Sequence, residues 1–74
     1  MRKLSNPARR ILAYMVREAA ENRQSHHRPE DLRDVVIGSG HSAGARAIGE
    51  LLIAGLITRA GELLWLTSKG GQGA

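Results

Sequence analysis

The chain has 74 residues, with 11 Lys/Arg against 7 Asp/Glu, a net charge of +4 and no cysteine. That length allows one small domain whose core supplies only ~3–5 kcal/mol of net stability, which leaves room for a homodimer or another protein partner. The lack of cysteine excludes disulfides and thiolate metal sites, and with no bilayer-length apolar run and no signal-peptide core after Met1 the expectation is a cytoplasmic protein with no membrane partner.

Residues 1–6 read as a basic arm. Residues 1–34 hold eight Arg/Lys against five Asp/Glu, and the remainder three against two, so most of the surplus lies in the N-terminal half. Arg2, Lys3, Arg9 and Arg10 are placed to bind a phosphate backbone without reading sequence, or simply to keep the chain soluble. Arginine outnumbers lysine nine to two, which suits phosphate recognition by the guanidinium fork but equally fits coding bias.

Asn6-Pro7 predicts a helix start, with Asn as cap and Pro at the first position. Ala8, Ile11, Leu12, Met15, Val16 and Ala19 then recur at spacings of three and four and mark one apolar stripe. The helix is expected to fray between Asn22 and Ser25. Ser25-His26-His27-Arg28 is a connector, with room for a strand of two or three residues. Its two histidines are expected to be solvent-exposed, and adjacent positions do not converge on one metal ion. Pro29 opens a second helix, with Glu30 and Asp31 favourable to its dipole and Leu32, Val35 and Val36 on its inner face. Gly38 and Gly40 break it.

A third helix starts at His41 or Ser42 and stops at Gly55. A helical wheel puts Ala45, Ile48, Leu51, Leu52 and Gly55 inside, with Gly44 beside them. It puts Ala43, Arg46 and Glu50 outside, flanked by Ser42, Ala47 and Gly49. Gly44 and Gly49 each weaken a helix interior by ~1 kcal/mol against alanine. Leu56 to Arg59 and Glu62 to Thr67 are two strands around Ala60-Gly61. Leu64 and Leu66 are expected to face the core, Leu63 and Trp65 the other side. Residues 70–74 are too glycine-rich to order themselves and form a tail.

Three features in this order resemble the winged helix–turn–helix superfamily of bacterial and phage regulators. They are the helix, glycine turn and helix; the exit Leu51-Leu52-Ile53-Ala54-Gly55-Leu56-Ile57; and the closing Leu66-Thr67-Ser68-Lys69-Gly70. The resemblance implies a mostly α fold with a small β-hairpin, three helices and a two- or three-stranded wing, over residues 7–69. It implies a double-stranded DNA partner and a role in transcription regulation, close to the nucleoid. Residues 42–50 would enter the major groove. Arg46 would grip guanine or a phosphate, or else pair with Glu50. Ser42, Ala43, Ala47 and Glu50 would line the same face, and Arg59 would reach backbone or minor groove from the wing. An alternative is a protein-interaction module using Leu63 and Trp65, unless Trp65 folds over the first helix.

Enzymatic readings fail on chain order. Gly40-His41-Ser42-Ala43-Gly44 matches the G-x-S-x-G elbow, but that elbow needs a parallel sheet and a following acid and histidine. Every histidine (His26, His27, His41) precedes Ser42. No Lys-Ser/Thr pair follows the glycines, so they do not make a phosphate loop. Neither an enzyme, a cofactor nor a metal is expected.

Overall fold

The computed structural model describes residues 3–40 and 42–72. Arg2 and His41, both singled out above, lie outside them, as do Gly73 and Ala74. The order is α1 (Asn6–Glu21), β1 (His26–His27), α2 (Pro29–Val35), a 3-10 turn (Ile37–Ser39), α3 (Ala43–Ile53), β2 (Ile57–Ala60), β3 (Leu63–Leu66) and α4 (Ser68–Gln72). The protein is mostly helical with one small antiparallel sheet.

Helix α1 begins one residue earlier than the Asn-Pro signal suggests. Ser5 is its cap, in an extended conformation, and its Oγ accepts a hydrogen bond from the Ala8 N–H at 3.3 Å. A hydroxyl there satisfies one of the four N–H groups that a helix leaves unpaired. Ala8, Ile11, Leu12 and Met15 are buried along the predicted stripe. The chain leaves α1 through Asn22 and Arg23, the latter at φ 55°.

The connector does form a strand. His26 pairs with Trp65 and His27 with Leu64, so β1 lies beside β3, and β3 lies beside β2. Ile57 faces Leu66, Thr58 faces Trp65, Arg59 faces Leu64 and Ala60 faces Leu63, which leaves Gly61-Glu62 as a two-residue turn. Strand alternation turns Leu64 wholly inward and Trp65 outward.

Two glycines set the path of α3. Gly40 has φ 112°, outside the range of ordinary side chains, and ends the 3-10 turn after α2. Gly55 has φ 76° and closes α3. There the Gly55 N–H donates to Leu52 O at 3.1 Å and the Leu56 N–H to Leu51 O at 3.0 Å. This pair of bonds is a Schellman motif, and it turns the chain directly into β2.

The core joins Ala8, Ile11, Leu12 and Met15 to Leu32, Val36, Ala47, Ile48, Leu51, Leu56, Ile57 and Leu64. Helix α3 packs against α1, α2 and β2. Its inner side is Gly44, Ala47, Ile48 and Leu51, which corrects the wheel by part of a turn. Ala45, expected inside, is exposed, and Ala47, expected outside, is fully buried. The reason is close approach of the neighbouring helices. A Cβ on Gly44 would lie 2.7 Å from Arg33 Cγ and 2.9 Å from Arg33 Cα. Gly44 therefore serves the α2–α3 contact, and its propensity cost has a structural return.

Gly70 and Gly71, assigned above to the tail, lie within α4. Thr67 Oγ1 lies 2.7 Å from Gly55 O and 2.9 Å from Leu56 O, and accepts from the Gly70 N–H at 3.1 Å. One hydroxyl thus ties the end of α3 to the start of α4. Gly70 is buried so tightly that an added Cβ would collide with the Leu56 carbonyl oxygen. Among the described residues, no helix is long and apolar enough to cross a membrane.

Candidate nucleic-acid interface

The side of α3 away from the core carries Ser42, Ala45, Arg46 and Ile53, all exposed, with Gly49 between them partly so. Ser42 occupies the cap position, but its side chain makes no cap hydrogen bond. Ala43 is half-buried and sits beside a shallow groove lined also by Ser5, Pro7, Ser39, Ser42, Arg46 and Glu50. Arg46 therefore stands on the edge of α3 nearest the start of α1.

Glu50 has a different occupation from the one expected. Its Oε1 accepts from the Ser5 backbone N–H at 3.0 Å and its Oε2 from Ser5 Oγ at 2.6 Å. A carboxylate on α3 thus completes the cap of α1, the task that a glutamate three residues into a helix performs in a local capping box. No Arg46–Glu50 ion pair forms, and the Arg46 guanidinium has no ion-pair partner among the described residues. The buried methyl of Ala47 reaches no outer surface. Ala47 is therefore corrected from an outer-face contact to a core residue, and Glu50 is engaged with Ser5.

Lys3, Arg9 and Arg10 are exposed at the start of α1. Arg9 donates from Nη2 to Asn6 Oδ1 at 2.8 Å. Arg59 lies on the outer half of β2, on the core-facing side opposite Leu64 but beyond the end of the core. It lines a larger groove of about 610 Å³ with Arg28, Pro29, Glu30, Arg33, Gly61 and Glu62. Arg28 and Arg33 were not expected here. They belong to α2 and its cap, and no local pattern says that the hairpin turn folds over against them.

The outer sheet face carries Trp65, 37% exposed, with Leu63 partly buried. Trp65 neither projects freely nor folds over α1. Its ring stacks on His26 at 4.6 Å, across the β1–β3 pair.

His27 corrects the expectation of two exposed loop histidines. It is 3% exposed, its Nε2 has no hydrogen-bond partner among the described residues, and its ring lies 5.3 Å from that of Tyr14. Burial pushes its pKa below the ordinary value of 6.5; His26 adds to the shift, while Glu18 and Asp31 oppose it. The neutral ring is a core group. Among the described residues no cluster of three or more His, Cys, Asp or Glu could hold a metal ion.

Chemically, the surface offers guanidinium groups and the Ser39 and Ser42 hydroxyls around a helix of small side chains; Arg46, Ser39 and Ser42 have no ion-pair or hydrogen-bond partner among the described residues. Such a set can bind anionic oxygen and let a polymer approach closely. No family model matches the chain, and comparison with curated proteins and with solved structures found no match.

Proposed function

We propose that the chain is a small winged helix–turn–helix protein that binds double-stranded DNA, as a transcriptional regulator. Helix α3 would enter the major groove, with the β2–β3 hairpin on the adjacent backbone. One observation carries this reading: α3 has a side on which Ser42, Ala45, Arg46 and Gly49 stand together, and Arg46 has no ion-pair partner there among the described residues. Small residues permit the close approach that groove insertion needs, Arg46 supplies a fork for guanine or phosphate, and the Ala45 methyl can meet thymine. The net charge of +4 acts in the same direction.

Gel shifts with random duplex pools at two salt concentrations test the reading. Affinity should fall steeply with salt. Arg46→Ala should weaken the selected site by ~1–3 kcal/mol if its contact is bidentate. Absence of any salt-sensitive complex would sink the proposal.

The half-exposed Trp65 beside Leu63 favours a second reading, a protein-interaction module using the sheet's outer face. That reading expects Trp65→Ala to abolish a protein complex and to leave DNA unbound by parent and variant alike.

A further inference from the structure

The groove between α2 and the hairpin turn lies apart from the α3 residues that carry that reading. Three arginines line it, Arg28, Arg33 and Arg59, together with Glu30 and Glu62. The carboxylates do not neutralise it. Arg28 and Glu30 approach to 3.8 Å, but both side chains are mostly exposed, at 71% and 60%, so water screens a weak pair. The side chains of Arg33 and Arg59 have no ion-pair or hydrogen-bond partner among the described residues. Arg33 is also held in place, because its stem lies against Gly44 in the first turn of α3. Two arginines without such a partner thus line one concavity from different elements, and the stem of one lies against α3. This is a suitable arrangement for a tetrahedral oxyanion, since each fork can give two parallel N–H bonds.

We infer that this groove binds phosphate, with Arg33 and Arg59 as the principal ligands and Arg28 as a third. A DNA backbone and a free phosphate ester offer the same chemistry, and the two arms of the test separate them. The duplex arm rests on the reading of α3, and the phosphate arm does not.

In the phosphate arm, the arginine Nε–Hε resonances are followed by NMR while inorganic phosphate replaces chloride at constant ionic strength. Arg33 and Arg59 should shift saturably, whereas Arg17 and Arg23 should not. Glu62→Gln should tighten the titration several-fold by removing a repelling carboxylate, an effect that a purely structural role for these residues does not produce. In the duplex arm, Arg33→Gln and Arg59→Gln should each lower the slope of log affinity against log salt by about one, equally for all sequences. Thermal melts check folding, and Arg59 on the exposed hairpin edge reports even if Arg33→Gln disturbs the α2–α3 contact. Lower slopes identify the backbone as the source. Saturable shifts with unchanged slopes, or with no duplex binding at all, identify a small phosphate ligand. No saturation together with unchanged slopes would overturn the inference.

Discussion

Gly44 and Gly49 stand five residues apart in α3 and should respond to alanine with opposite signs. At Gly44 the new methyl meets the stem and backbone of Arg33. Overpacking of that kind costs about 1–3 kcal/mol, helix propensity returns at most about 1, and the backbone atom has little freedom to yield. A net loss of about 1–2 kcal/mol is expected for Gly44→Ala in urea unfolding. At Gly49 nothing lies within 4 Å of the added carbon, so Gly49→Ala should stabilise by ~0.5–1 kcal/mol. His27 offers a second test at this scale. Because burial lowers its pKa, the folded state binds its proton less readily than the unfolded chain does. Its contribution is present above about pH 6.5 and is lost as the pH falls toward the depressed folded value. One such group adds at most ~1.4 kcal/mol of instability per pH unit. Melting temperature should therefore drop more between pH 7.5 and 5.5 in the parent than in His27→Gln. Equal drops would mean that the ring can be protonated at no cost.

At the scale of elements, α1 and α3 are joined by more than apolar burial. Ser5 caps α1 and Glu50 of α3 caps Ser5. Ser5→Ala should cost ~0.5–2 kcal/mol through the lost cap. Glu50→Ala should cost a comparable amount, and a double-mutant cycle should show the two changes to be non-additive by at least ~0.5 kcal/mol. Additive losses would mean that the carboxylate serves another partner. This pairing also bears on function, because it holds the Glu50 carboxylate on Ser5 and not on the neighbouring Arg46 guanidinium. Helix α4 follows the same logic of shared ends: Thr67 holds the carbonyls that follow α3 and caps the turn containing Gly70.

For the whole molecule, a core of few side chains leaves a small margin of stability. Anything that binds the folded state alone should therefore raise the melting point visibly. A duplex at a hundred times its Kd adds ~2.7 kcal/mol. At roughly 4–8 °C per kcal/mol for a domain of this size, that is a rise of roughly 10–20 °C. Trp65 fluorescence is a convenient monitor, since its stacking on His26 ends when β1 leaves β3. A melting point unmoved by duplex at such excess would speak against DNA as the partner.

The sequence alone determined the order of elements from α1 to the β2–β3 hairpin, though not α4, because periodicity, proline and glycine act over three or four residues. Pro29 opening α2, Gly55 closing α3 and the inward Leu64 were all legible this way. The rotation of α3 was not. Its small residues differ little in hydrophobicity, so a wheel built from them turns easily. What sets the rotation is which of them admits a neighbouring helix, and Gly44 does so against Arg33. The same holds for the groove and for His27. Arg28 and Arg33 meet Arg59, and the histidine of a polar connector becomes buried, only because β1 pairs with a strand almost forty residues later. Contacts at that separation depend on how the packed elements close on one another, and no local pattern carries that information.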